Sequence, residues 1–187
     1  GTPSAGCSAP SCTEAAGRYS LAMSEHISAH LKIERPLPEV FAFVRRPEHH
    51  SDFDATGTVG EAVTTRPIHG VGDAFTMEMI DEDADGNQTQ YQLENRVTRF
   101  ERGRVIEWAA ARPGEDLLGW RWRYEFEPEG DAVTVVTLTY DWAGTSEQNR
   151  RDYGIPAFRR IELDASLALL DLALVAAHGD NPHLESD

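Results

Sequence analysis

His49, His50, Asp52 and Asp54 crowd two imidazoles and two carboxylates into one short stretch, the groups that metal coordination or proton transfer uses. Their spacing matches no zinc pattern, and Pro47-Glu-His-His reads as an ordinary short helix end, so no metal is expected. His50 and Asp54 remain candidates for the edge of a cavity. Asp81-Glu-Asp-Ala-Asp-Gly-Asn opens with calcium-loop spacing, but Gln92 stands where a bidentate Glu is required, and strands flank it. An acidic hairpin tip is the expectation there. Neither a Gly-rich phosphate loop nor a Gly-x-Ser-x-Gly elbow occurs. Cys7 and Cys12 both precede the first patterned segment, so no core cysteine nucleophile or disulfide framework exists. No cofactor is expected, and these motifs assign no catalytic residue.

A second set is spread along the chain. Tyr91, Trp108, Trp120, Trp122, Tyr124, Tyr140 and Trp142 fall at alternating positions of successive segments, which brings them to one face of a sheet. Such residues form core, yet Trp and Tyr carry polar atoms that need partners when buried. Asn95 shares that face, and a buried amide must bond a neighbour, a water or a ligand. Large apolar walls with a few convergent polar groups have the composition of a small-molecule pocket. Asp141, between Tyr140 and Trp142, is turned outward by the same alternation.

The elements that place these residues follow from periodicity. Ile27, Ala29, Leu31 and Ile33 alternate with polar residues in a first strand. Pro36-Leu-Pro-Glu opens a short helix, Pro47 stops it, and a second helical turn runs to Phe53. Further strands are expected over 58–66, 73–81, 89–101, 104–112, 119–128 and 133–143. The clearest alternation sets Trp120, Trp122, Tyr124 and Phe126 against Arg121, Arg123, Glu125 and Glu127. A polar loop, 144–154, leads to a long helix over 156–177. There Phe158, Ile161, Ala165, Ala168, Leu172 and Val175 form one ridge, with Leu163, Leu167, Leu170 and Leu174 beside it. Glu162, Asp164 and Asp171 interrupt the helix, so no membrane span is expected. Clustered strands followed by one helix define an α+β fold with a curved antiparallel sheet of about seven strands around the C-terminal helix.

The 187 residues suit one domain with tails: a disordered stretch over 1–23, a domain over 24–179 and a short tail over 180–187. Met23 is a candidate translation start. A net charge of -15 opposes nucleic acid and anionic membranes as partners. A cytoplasmic location is expected by default, and a monomer or a homodimer fits equally.

This element order resembles the START-like, or Bet v 1-like (SRPBCC), helix-grip superfamily, and within it the polyketide cyclase/dehydrase-like branch. The resemblance rests on Ile33-Glu-Arg-Pro-Leu-Pro-Glu-Val-Phe, Pro47-Glu-His-His, Gly72-Asp-Ala-Phe, Tyr91-Gln-Leu-Glu-Asn-Arg-Val, Ile106-Glu-Trp, Trp122-Arg-Tyr-Glu-Phe-Glu-Pro and Tyr140-Asp-Trp. Many relatives carry Trp where the chain enters the second strand; here Phe53-Asp54 stands instead. The resemblance implies a cavity between sheet and C-terminal helix, without a transferable catalytic signature. The expected ligand contacts are Tyr91, Asn95, Trp108, Trp122, Tyr124 and Tyr140 on the sheet and Phe158, Ile161 and Ala165 on the helix. The expected function is binding of a hydrophobic or aromatic, lipid- or polyketide-like small molecule. A cyclase/dehydratase-type enzyme using acid/base groups in the cavity is the alternative, and the 144–154 loop is a candidate gate.

Overall fold

The computed structural model describes residues 24–179. The two expected tails and Met23 lie outside them. Strands β1 (His26–Ile33), β2 (Val59–Ala62), β3 (Ala74–Glu82), β4 (Gln88–Glu101), β5 (Val105–Ala111), β6 (Leu117–Pro128) and β7 (Thr134–Asp141) form one sheet. Its order is β1-β7-β6-β5-β4-β3-β2, with every neighbouring pair antiparallel. Helix α1 (Leu37–Val44) and a 3-10 helix (Pro47–Phe53) follow β1; α2 (Glu147–Asp152) and α3 (Arg160–Gly179) follow β7. The architecture is the expected α+β arrangement, a curled sheet closed by a C-terminal helix.

Alternation decides which face is covered. Leu93, Asn95 and Val97 of β4 are buried while Gln92 is exposed and Glu94 and Arg96 are half-buried. Trp120, Tyr124 and Phe126 of β6 and Val136, Leu138 and Tyr140 of β7 continue the inner layer. Central strand β5 is buried on both faces, because the outer side carries its own cover. Glu107 accepts from Thr98 at 2.7 Å and lies 3.4 Å from Arg123, and arginine stems flank Ala109 at its paired positions, Arg96 and Arg121. α1 inserts Phe41 edge-on against Phe126, with ring centroids 5.3 Å apart.

α3 differs from expectation in start and rotation. It begins at Arg160, where Glu162 reaches back to accept the Arg159 N–H at 2.9 Å and occupies an otherwise free donor; Pro156 lies in a bend before it. Leu163, Leu167, Leu170 and Leu174 face inward, whereas Ile161, Leu172 and Val175 are 65%, 64% and 54% exposed, and Ala165 and Ala168 are exposed beside them. Two apolar stripes compete for one interior. Four leucines remove more apolar area from water than a ridge containing two alanines, at about 25 cal/mol per Å². The 144–154 loop also differs. It contains α2, capped where Ser146 accepts from the Asn149 N–H, and Asn149 donates to the Leu118 carbonyl.

Candidate ligand cavity

Between the sheet, the 3-10 helix and the segment entering α3 lies a cavity of about 340 Å³, inside the size range of small-molecule sites. Strand alternation supplies most of its wall: Phe75, Met77 and Met79 from β3, Tyr91, Leu93 and Asn95 from β4, Trp108 and Ala110 from β5, Trp120, Trp122 and Tyr124 from β6. His50, Phe53 and Asp54 close it from the 3-10 helix, and Phe158 and Ser166 from the helical side. Met79, Asp81 and Tyr91 meet Tyr153 and Ile155 at its rim.

The aromatic side chains of the wall pack in groups. His50 stacks 5.1 Å from Trp108, Trp108 stacks 5.7 Å from Tyr124, and Phe53 meets Tyr124 edge-on at 6.0 Å. Trp122 lies on Tyr140 at 4.6 Å and against Phe158 at 5.5 Å. Phe53, where many relatives have Trp, is thereby part of the wall.

Four polar groups face this apolar space, each fixed differently. His50 Nε2 donates to the Val44 carbonyl at 2.8 Å, satisfying a carbonyl that the end of α1 leaves without a partner. The neutral ring then keeps its lone pair on Nδ1. Burial lowers the His50 pKa to about 4, against the weaker upward pull of that hydrogen bond, so the ring is uncharged at neutral pH. Tyr124 is buried, and desolvation, reinforced by the Asp54 charge, holds its hydroxyl well above the usual tyrosine range. Asn95 is 8% exposed, and its amide is in no hydrogen bond among the described residues. Ser166 accepts the Ala55 N–H at 3.0 Å, leaving its own proton available. Asp54, by contrast, is occupied: one oxygen accepts from the Thr56 N–H and hydroxyl, the other from the Val59 N–H.

Of the side chains expected from sequence, the structure brings Tyr91, Asn95, Trp108, Trp122, Tyr124 and Phe158 to the cavity. Three expectations are corrected. Tyr140 lies behind the wall, fully buried beneath Trp122, and burial pushes its hydroxyl up to about 12, while the Ala157 amide and Arg150 pull the other way. Ile161 is on the water-facing side of α3. Ala165 is there too, because the leucine stripe takes the interior. Within the suggested gate loop only Tyr153 reaches the cavity. Arg150 ties the remainder down through the Trp142 and Thr145 carbonyls and Glu25. Ser166 was not foreseen, being a small polar residue among leucines, nor were Phe75, Met77 and Met79, although β3 alternation already placed them on one face.

Among the described residues no three His, Cys, Asp or Glu side chains gather as a metal site. His49 stacks on Phe43 at 4.1 Å, away from His50, and Asp83 accepts the Asp85 and Asn87 N–H groups within the acidic hairpin tip.

No protein-family model matches the chain. It is 30% identical over 149 residues to the uncharacterised protein Rv0088 of Mycobacterium tuberculosis, a match covering 77% of this chain and 62% of that protein. The chain thus spans less than two thirds of the curated relatives it matches. Among solved structures it is similar to an AHSA1-like protein from Aeromonas hydrophila, with TM-score 0.55, 20% identity and coverage of 87% and 99% of the two chains. It is also similar to a norcoclaurine synthase point mutant from Thalictrum, in complex with a transition-state analogue, with TM-score 0.52, 11% identity and coverage of 82% and 95%. The chain has the START-like, Bet v 1-like helix-grip fold. No helix among the described residues is long and apolar enough to cross a membrane.

Proposed function

We propose that this protein binds a hydrophobic, ring-containing small molecule in the cavity between the sheet and α3. The observation that carries this reading is Asn95, an amide on the inner face of β4 that lines the cavity within an aromatic wall and has no hydrogen-bond partner among the described residues. A side chain kept only for packing would be apolar there, since an unpartnered buried amide costs about 1–3 kcal/mol. A ligand hydroxyl or carbonyl supplies the partner.

Binding fits better than acid/base chemistry. General acids and bases work best with pKa values near the operating pH, whereas burial moves His50 far below neutrality and Tyr124 far above it. The synthase that shares the fold keeps a cyclase-type reaction as the second reading, for which a polarising Tyr124 hydroxyl is the natural starting point.

The test is titration with N-phenyl-1-naphthylamine, an uncharged dye whose emission rises in apolar surroundings. Saturable enhancement is expected, lost in Ala110→Phe, which fills the floor of the cavity, and retained in Ala165→Trp, which points to water. No enhancement in the wild-type protein, or equal loss in both variants, would refute the reading.

A further inference from the structure

We propose that the cavity is charge-selective: it takes an uncharged ring system bearing a hydroxyl or carbonyl group and turns away organic carboxylates. This rests on the ligand-binding reading above and adds the ligand's chemical class. None of the residues that line the cavity is Lys or Arg, while two, Asp54 and Asp81, are carboxylates. Two guanidinium groups near the rim already have partners. Arg112 donates to the Tyr153 hydroxyl at 2.7 Å, and Arg150 pairs with Glu25 at 2.7 Å while also donating to two carbonyls. Helix N-termini offer no substitute. Glu162 already occupies the Arg159 N–H at the start of α3, and Ser146 caps α2.

A carboxylate brought inside would lose its water, meet no countercharge and lie in the field of Asp54. An uncharged ligand meets matched neutral groups instead. His50 presents a lone pair, since its proton is committed to the Val44 carbonyl; Tyr124 presents a hydroxyl proton; and the Asn95 amide both donates and accepts. Cation binding by the aromatic wall is limited from the other side, because both Asp54 oxygens already accept hydrogen bonds from Thr56 and Val59, and Asp81 is exposed at the rim, where water screens its charge.

The experiment is displacement of N-phenyl-1-naphthylamine at pH 7 by three compounds of one shape: 2-naphthalenemethanol, 2-naphthoate and 2-naphthylmethylammonium. The alcohol is expected to compete at least about 100-fold better than the carboxylate, a discrimination in line with the cost of burying an unpaired charge. It is also expected to compete better than the ammonium. Ala110→Phe should abolish direct binding of the alcohol, read by calorimetry because this variant takes up no dye, with Ala110→Leu as the milder variant should the first not fold. A carboxylate within tenfold of the alcohol, an ammonium that competes better, or failure of all three to displace bound dye would overturn this inference alone. Absence of dye binding would overturn the ligand reading with it.

Discussion

Replacing Asn95 by Leu separates a group kept for a ligand from one kept for the fold. The amide is 8% exposed, sits on the inner face of β4 opposite Phe75 and Ala110, and has no hydrogen-bond partner among the described residues. A buried amide in that condition costs about 1–3 kcal/mol. The cavity is large enough to admit water, so water relieves part of the penalty when no ligand is present. Leu has nearly the same shape, so no cavity or overpacking offsets the gain. Asn95→Leu should therefore stabilise the free protein by about 1 kcal/mol, or about 2–4 °C in Tm for a domain of this size. Binding of the alcohol probe should weaken by about three- to tenfold, the worth of one neutral hydrogen bond. Urea unfolding and dye displacement measure the two effects on one sample. A loss of stability of 1 kcal/mol or more would show that Asn95 holds the fold, and the reasoning from its unpaired amide would fall.

Ser166→Ala should act oppositely, because Ser166 accepts the Ala55 N–H; about 1–2 kcal/mol of stability should be lost in urea unfolding. Gly119 has φ 110°, and a Cβ there would overlap the Gly144 carbonyl and lie 2.6 Å from the Thr145 Cα. Gly119→Ala should therefore cost about 3 kcal/mol, whereas Gly103→Ala, with only the Leu37 side chain at 3.4 Å, should cost about 1 kcal/mol, both read from urea midpoints. His50 gives a pH dependence. Its pKa falls from 6.5 to about 4 on folding, so between those values the unfolded chain binds more protons and stability declines as pH falls, levelling below about 4. The decline attributable to His50 is about 3 kcal/mol, and His50→Gln should remove it from the difference between unfolding curves at pH 7 and pH 4.5.

The sheet was legible in sequence because its longest strands, β4 and β6, keep one face wetter than the other: Gln92 against Leu93, Arg121 against Trp120 and Arg123 against Tyr124 leave one register that hides the apolar residues. β2 ends earlier than expected because the Val63 and Thr64 N–H groups both turn to the one Thr76 carbonyl, which breaks the ladder after Ala62. The face of α3 was not legible, since both of its stripes are apolar and their relative areas become decisive only once a sheet lies opposite. Nor was the role of His50. Its local spacing to His49 and Asp52 invites metal chemistry, while its actual partner is a backbone carbonyl left over at the end of the preceding helix. Polar groups tied to backbone atoms leave no spacing signature, which is why Ser166 was invisible and Asn95, placed by alternation alone, was not.

α3 turns by about 100° per residue, which sets its two apolar stripes about 150° apart, on nearly opposite sides of the cylinder. Leucine area sets the preferred roll, but oily contacts are tolerant of sliding. The hydrogen bond from the Ala55 N–H to Ser166 is directional and joins α3 to the turn just after the 3-10 helix. It works as a detent for the helix, fixing which angular setting faces the sheet. The shape of the cavity is thus tied to one hydrogen bond that spans 111 residues of sequence.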